Sequence, residues 1–472
     1  MNAKTKKILF ILSACAVAVV LAAFIFVLFF DINSYKPGIE AAASEASGMD
    51  VRINGKMKLT LFPLASVSLE DILIQNRGVD VASAKEAKVG ITLLPLLRQK
   101  LIIRQVRVIT PTFYITKNKR GVFNFETPEK KPVRKKFPAI ENISVKSGNV
   151  LYADEKSGEK IEVNDCDLAI KDFSAGGEVF IKALYLEGDL SCKEAKAKGL
   201  SIADIRVAMK ARRGEFEATP ITMKIFGGDG KGSIKGVMTG NIPEYLVDFT
   251  ITKFRFEEVL GSFRQKKSIR GKMDLIAHIS MKGKNSAEMK SAAQGEISLR
   301  GESLFHESLD FDRLLEKYEK SQSFNLIDVG AFFVAGPLGT LVTKGYDFGR
   351  VYEESLGGKG TIEKLVSDWK VRNGVAEATD VAFVTKKNRV ALKGKLDFVR
   401  NRFENVSIAV LNAKGCATYS QRIHGDFKKP QIDKPSIFSS LVAPISSLLK
   451  KPVDIITGGR CEAFYIGSLK HP

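Results

Sequence analysis

Ile269-Arg270-Gly271-Lys272-Met273-Asp274-Leu275-Ile276-Ala277-His278-Ile279-Ser280-Met281 is the stretch that decides the fold class. Ile269, Gly271, Met273, Leu275, Ala277, Ile279 and Met281 share one side of an extended chain, while Arg270, Lys272, Asp274, His278, Ser280 and Lys282 dominate the other. A side-chain period of two belongs to a strand, because successive Cβ atoms point to opposite faces. Val390 to Phe398 repeats the design: Leu392, Gly394, Leu396 and Phe398 oppose Lys393, Lys395 and Asp397. Near the N-terminus, Met57, Leu59 and Leu61 oppose Lys56, Lys58 and Thr60, Phe62-Pro63 breaks that strand, and Val67 to Asn76 is its hairpin partner. The chain therefore reads as mainly β, an antiparallel sheet with a few short helices.

The helical exceptions are few. Ser34 to Ser47 reads as a short helix, with Pro37 tolerated near its start and Gly48 suited to its end. Ile91 to Arg98, with four leucines around Pro95, reads as a short packed helix or turn, and Ile102 to Thr116 returns to β character. Glu126 to Pro138, rich in lysine, proline and acid, reads as a surface loop or linker. Phe311 to Lys320 and Ser436 to Lys450 are the later helical segments; in the second, Phe438, Leu441, Val442, Ile445, Leu448 and Leu449 follow helical spacing around Pro444. That stripe suits an end-cap on a sheet or a membrane-facing helix.

The first thirty residues bear on location. Lys4, Lys6 and Lys7 precede an uncharged, mostly apolar run from Ile8 to Phe30, closed by Asp31. A helix over that run rises roughly 34 Å, against a bilayer core of about 30 Å. A secretory signal would have an apolar core of about 7–15 residues and end at small residues, whereas this run ends in the bulky stretch Phe24 to Phe30. The expectation is a retained single span with a cytoplasmic N-terminus.

The formal net charge of +20 draws the chain toward anionic lipid headgroups or other polyanions. No zinc-finger, helix-turn-helix or RNP pattern supports nucleic acid. The basic runs Arg98 to Arg104 and Lys130 to Lys136 read as solvated turns. Cys15 falls in the apolar run, and Cys166, Cys192, Cys416 and Cys461 are scattered without a CxxC or Cys/His cluster. That pattern offers neither a structural zinc site nor a thioredoxin-like centre. Up to two disulfides fit an oxidising space, Cys416 with Cys461 being the expected pair, and buried free thiols are the alternative.

Catalytic signals are missing. His278, His306, His424 and His471 have no zinc-like partners in sequence. Gly227-Gly228-Asp229-Gly230-Lys231-Gly232 lacks the phosphate-loop spacing, with Gly232 where a hydroxyl residue should follow the lysine, and reads as a tight hairpin. Asp50 and Asp71 read as turn or surface residues. No enzyme activity, cofactor or metal is expected.

The order of segments carries a resemblance. Tyr35-Lys36-Pro37-Gly38-Ile39-Glu40 follows the apolar run, and Ala46-Ser47-Gly48-Met49-Asp50-Val51, Gly55-Lys56-Met57-Lys58-Leu59, Leu61-Phe62-Pro63 and Val67-Ser68-Leu69-Glu70-Asp71-Ile72 come next. Gly121-Val122-Phe123-Asn124-Phe125 continues it. Toward the C-terminus come Trp369, Asn373-Gly374, Asp380-Val381-Ala382-Phe383, Val390-Ala391-Leu392-Lys393-Gly394 and Gly425-Asp426-Phe427-Lys428-Lys429-Pro430. This order resembles the AsmA family of bacterial envelope proteins, with Ser191 to Ser262 the weakest section.

The resemblance implies a Gram-negative inner-membrane protein with its bulk in the periplasm, similar to bridge-like lipid-transfer proteins, whose elongated, curved β-sheet encloses an apolar groove. It implies phospholipids and the inner membrane as partners, together with outer-membrane or periplasmic proteins or self-association. The domain plan read from the sequence is a tip and anchor over 1–30, an N-terminal module over 31–125, the linker 126–138, a central β-rich region over 139–310 and a C-terminal domain over 311–472. Acyl chains are expected against Met273, Leu275, Ile279, Leu392, Leu396 and Phe398. The same pattern also suits a dry core in a non-enzymatic envelope scaffold, or a regulator of outer-membrane protein assembly.

Overall fold

The structure, a computed structural model, describes residues 31–60, 65–92, 103–126, 140–174, 183–262, 269–307, 310–313, 315–316, 358–434, 436–437 and 462–472. The apolar run 8–30, nearly all of the linker 126–138, the stripe Phe438, Leu441, Val442, Ile445, Leu448 and Leu449, and Cys461 lie outside the described residues. Among the described residues no helix is long and apolar enough to cross a membrane. The chain divides into two compact units, residues 1–216 and 217–472.

Unit 1 opens with a 3-10 turn, Ile32–Tyr35, and helix α1 (Lys36–Ser47). Pro37 sits in the first turn of α1, and Gly48 ends it at φ 74°, the left-handed conformation glycine adopts without a Cβ clash. The strands β1 (Asp50–Ile53), β2 (Met57–Thr60), β3 (Ser66–Asn76), β4 (Val79–Ile91), β5 (Ile103–Ile109), β6 (Thr112–Lys117), β7 (Ile140–Asp154), β8 (Glu159–Ser174), β9 (Tyr185–Ala197) and β10 (Leu200–Arg212) follow. β1 and β2 both pair with β3, then β3 with β4, β4 with β5 and β6, β5 and β6 with β7, and β7 through β10 in sequence. The pairings are antiparallel except that β5 and β6 run parallel to β7. The expectation of a purely antiparallel sheet is corrected there: the long connection through the linker lets β7 return in the direction of β6, as a short hairpin turn could not. Cys166 and Cys192 face each other on β8 and β9 and form a disulfide, a pair that their scatter in the sequence did not reveal.

Strand β11 (Glu215–Ile225) crosses the division between the units. Unit 2 continues with β12 (Gly228–Val237), β13 (Glu244–Arg255), α2 (Phe256–Ser262), β14 (Ile269–Arg270), β15 (Lys272–Lys282), α3 (Ser286–Ser291) and β16 (Gln294–His306). After these come β17 (Gly360–Arg372), β18 (Val375–Val384), β19 (Arg389–Asp397), β20 (Arg402–Leu411), β21 (Ala417–Asp426), β22 (Lys429–Ile432) and β23 (Ser436–Ile437). The stretch 269–281, expected as one strand, is divided at Gly271, whose φ of +151° interrupts the ladder. Asn373-Gly374 turns β17 into β18 with both residues at positive φ, the conformation that matches a two-residue hairpin to the strand twist. Gly227 also lies in a hairpin turn, between β11 and β12.

Unit 2 holds the packed core. Phe254, Phe256, Val259, Leu260, Met273, Phe311, Leu315, Trp369, Phe383, Leu392, Leu396 and Phe403 belong to one buried cluster. A second lies on the other side of β17–β20: Val366, Ala382, Val384, Ala391, Ala409 and Leu411, covered by Tyr465 and Leu469 near the C-terminus. The covering segment is pinned by polar groups. Tyr465 Oη donates to Asp380 Oδ1 at 2.5 Å, and Arg389 donates to the carbonyls of Leu469 and Asn412 at 2.8 and 3.0 Å. Burial pushes the Tyr465 hydroxyl up to about 12, which keeps it a donor. Cys416 is disulfide-bonded, and Cys461, its expected partner, lies outside the described residues.

His306 is buried at the end of β16 with its ring edge against Phe311, centroids 5.9 Å apart. Burial depresses its pKa to about 4, so the folded state holds it neutral. The unfolded chain binds this proton near pH 6.5. Stability is therefore intact above that pH and falls as pH drops from about 6.5 toward 4, by up to about 3 kcal/mol. Urea unfolding followed through Trp369, the single tryptophan, should show this slope, and His306→Leu should flatten it. An identical pH dependence in the two proteins would contradict the assignment.

Candidate functional site

The register of unit 1 assembles scattered strand residues into continuous rows. Leu59, Val67, Val89, Val106, Ile143, Ile170, Gly188 and Met209 are successive cross-strand partners from β2 to β10. Two positions along, Met57, Leu69, Ala87, Val108, Val145, Leu168, Leu190 and Val207 form a second row through the same ladders. The row between them is Lys58, Ser68, Lys88, Arg107, Ser144, Ala169, Asp189 and Ala208. Directly paired residues share a face and the next residue takes the other. One face of this sheet is thus apolar and the opposite face largely polar.

A third apolar row runs from Val51 through Ile74, Ala82, Phe113, Val150, Val163 and Ala195 to Ile202. It is separated from the first two by left-handed residues, Asp71, Ser147, Asp165 and Asp204, at φ between 51° and 54°. At this line the apolar alternation changes phase by one residue. On β7, for example, it passes from the odd positions Ile143 and Val145 to the even positions Val150 and Tyr152. A bulge with a left-handed residue is where a strand can make that change. Short polar side chains satisfy the displaced backbone: Ser147 N–H donates to Asp167 Oδ1 at 3.0 Å and Asp165 N–H to Asn149 Oδ1 at 3.1 Å. Lys146, bonded to Asp167 Oδ2 at 2.6 Å, is the larger cause holding that carboxyl below its ordinary range. The Cys166–Cys192 disulfide ties β8 to β9 beside this line.

These rows are only partly covered. Apart from Met57, Ala82 and Gly188, their residues are half-buried or exposed, with Phe113 44% exposed. Both buried apolar clusters consist of residues from unit 2. Within unit 1 the principal contacts between elements are those of ladder neighbours, plus the N-terminal turn and helix against β1 and β2. Among the described residues, no second layer fills this apolar face.

The six residues expected to contact acyl chains lie elsewhere. Met273, Leu392 and Leu396 are 2%, 2% and 0% exposed inside the unit 2 core, and Leu275, Ile279 and Phe398 pack against it. The row through Phe254, Met273, Gly301, Leu365, Phe383, Val390 and Val410 has the same cross-strand design as those of unit 1. Here α2, Phe311 and Leu315 supply a cover. Met273, Leu392 and Leu396 are closed off by protein in this structure, while Leu275, Ile279 and Phe398 are half-buried at the margin of that core. The compositions differ in one respect: the larger buried cluster includes six Phe and Trp369, whereas the unit 1 rows carry Val, Ile, Leu, Ala, Met and Gly with Phe113 as the aromatic exception.

His278 lies on the exposed face beside Asp248 at 2.7 Å, as its alternation phase predicts. Among the described residues no group of His, Cys, Asp or Glu could hold a metal ion. The model of the AsmA family matches residues 1–196, which takes in α1 and nearly all of the strands to the end of β9. No curated protein matches the chain.

The difference in cover has a direct energetic consequence. Leu396→Ala should cost about 2–5 kcal/mol, the range for deleting a buried leucine without collapse of its site. Leu168→Ala should cost about 1 kcal/mol or less, because a half-covered side chain loses fewer contacts. Hydrogen exchange resolved by unit, in a urea series, would measure both; equal losses would mean that unit 1 has a filled core.

Proposed function

On the premise that this chain belongs, through residues 1–196, to the AsmA family, we propose that it is a cell-envelope protein whose unit 1 binds phospholipids along its apolar rows. The observation that carries the reading is that continuous apolar rows cross unit 1 and, among the described residues, no second layer lies over them. Eight strand positions at about 4.8 Å spacing give each row a length of roughly 34 Å. One leaflet of a bilayer core is about 15 Å deep, so a row is long enough for an acyl chain laid along it.

The energetics suit exchange. Taking a methylene out of water is worth about 0.8 kcal/mol, but a lipid leaving a bilayer is already out of water. Moving its chains onto an apolar row is close to neutral, and the row's contribution is to avoid the aqueous crossing. Aliphatic rows recognise chain bulk and length weakly, so selectivity falls to the headgroup. A headgroup would stay at the solvent side or at basic rims. No bond need be made or broken, and the proposed role is non-enzymatic, without a cofactor.

The location we propose is the bacterial inner membrane, single-pass through residues 8–30, with the N-terminus cytoplasmic and the bulk periplasmic, supporting outer-membrane integrity. Lys4, Lys6 and Lys7 before the apolar run favour that orientation, and the Cys166–Cys192 disulfide suits an oxidising compartment. A scaffold, or a regulator of outer-membrane protein assembly, is the second reading. It is favoured by the unit 2 core, which is filled by protein on both sides of β17–β20.

Photo-crosslinking separates the two readings. A benzoylphenylalanine at Val145, Leu168 or Leu190 should capture phosphorus-labelled lipid in growing cells. The same probe at Lys88, Asp189 or Ala208, on the opposite face, should capture at least tenfold less. Equal, background-level labelling at both sets in folded protein would leave the scaffold reading standing.

A further inference from the structure

The polar face of unit 1 holds two cations that the sheet places side by side. Along the ladders of β3, β4, β5 and β7 the successive partners are Ser68, Lys88, Arg107 and Ser144. Directly paired side chains stand about 5 Å apart at Cβ, and like charges there repel. Three other cations of this face are matched by carboxylates: Lys58 with Glu70 at 2.5 Å, Lys146 with Asp167 at 2.6 Å and Lys210 with Glu187 at 3.2 Å. Among the described residues Lys88 and Arg107 have no such partner. Glu86, two residues before Lys88 on β4, stands across from Ile109 and makes no ion pair with either cation among the described residues.

The hydroxyls beside the pair are unpartnered as well. Ser144 Oγ, next to Arg107 in the row, and Ser66 Oγ, two residues before Ser68 on β3, are both buried without a hydrogen bond. Ser66 is only 3% exposed. It pairs with Gly90, so the position after Lys88 on this face carries no side chain. A buried hydroxyl left unpaired is costly, and so is a bare pair of like charges. Lysine and arginine offer donors only, and a serine hydroxyl can add one. The complement of such a set is a small anion with several acceptor oxygens. Phosphate has more of them than a carboxylate, and the guanidinium fork matches two at once.

We propose that Lys88, Arg107 and Ser144 form a phosphate-binding site on the polar face of unit 1. Two sources carry that chemistry, free phosphate and the headgroup of a lipid that stays in a membrane. A lipid laid along the apolar rows is not a source, because the sheet backbone separates the two faces. The site is therefore independent of the reading of those rows. Strand spacing and rise put Ser66 about 10 Å from a phosphate seated between Lys88 and Arg107. That is beyond the reach of the phosphate itself but within reach of a headgroup's glycerol lying over Gly90.

The test uses the full chain in maltoside micelles, free of phosphate. Equilibrium dialysis against labelled orthophosphate should show saturable binding. Lys88→Gln and Arg107→Gln should each weaken it by about tenfold or more, and Ser144→Ala by about threefold. Arg107→Lys, which keeps the charge and loses the fork, should fall between Arg107→Gln and the unaltered chain. Lys210→Gln, whose charge is matched by Glu187, should change binding less than about twofold. Protected β8 amides in hydrogen exchange check that each variant is folded. The second probe is glycerophosphoglycerol, a headgroup without acyl chains. If it binds more tightly than orthophosphate, and Ser66→Ala weakens it alone, the site takes a lipid headgroup; if orthophosphate binds more tightly and Ser66→Ala changes neither, it takes free phosphate. The absence of saturable binding of both probes to the folded, unaltered chain would overturn the proposal. So would binding that Lys88→Gln and Arg107→Gln leave unchanged. Lipid crosslinking at Leu168 reports on the opposite face and stands or falls separately.

Discussion

Cross-strand register is the constraint on which the rest depends. Each strand alternates apolar and polar side chains, but alternation alone creates only short stripes. Hydrogen-bonded pairing places Val106 beside Val89 and Ile143, and Leu168 beside Val145 and Leu190, and so joins the stripes into rows. A slip of one residue in any ladder would turn that strand's apolar set to the polar face. The left-handed residues at Asp71, Ser147, Asp165 and Asp204 interrupt the alternation at a line shared by several strands. The rows on either side of the line remain continuous across that change of phase.

The two units put this design to opposite ends. In unit 2 the row through Met273, Phe383 and Val390 is closed by α2, Phe311 and Leu315, and Trp369 satisfies its ring N–H on Ser367 Oγ at 2.8 Å. That region is a core in the ordinary sense, where apolar burial is the dominant favourable term. Unit 1 keeps comparable rows without such a cover among the described residues. Its cohesion comes from its ladders and the Cys166–Cys192 disulfide, with its exposed ion pairs, such as Lys58–Glu70, adding little. An open apolar face is a liability for a soluble domain, and an advantage for one whose ligand is itself apolar.

Polar chemistry appears where the sheet must be stopped or bent. Ser44, Glu40 and Asn33 occupy the outward N–H groups of the first edge. Asp167 and Asn149 take the backbone groups displaced at the bulges. Asp380 and Arg389 fix the C-terminal segment over the second face of β17–β20. In each place a side chain supplies a partner that the ladder cannot, which keeps those backbone groups satisfied.

The amino-acid sequence by itself determined the β class, the strands around Met57, Val67, Met273 and Leu392, the helix before β1, the turn at Gly227 and the exposed placement of His278. Those follow from local rules: side-chain period, turn chemistry and helix stops act over a few residues. It also carried the segment order matched by the AsmA family model over residues 1–196. Only the tertiary structure decided which apolar faces are covered. Leu275 and Leu396 have the same alternation as Val145 and Leu168, and nothing within their strands records that α2, Phe311 and Leu315 close over one face. The parallel return of β7, the pairing of Cys166 with Cys192 and the capping of β1 by Ser44 and Glu40 were equally hidden. Each joins residues distant in the chain, and periodicity has no information about which distant segment comes to lie alongside.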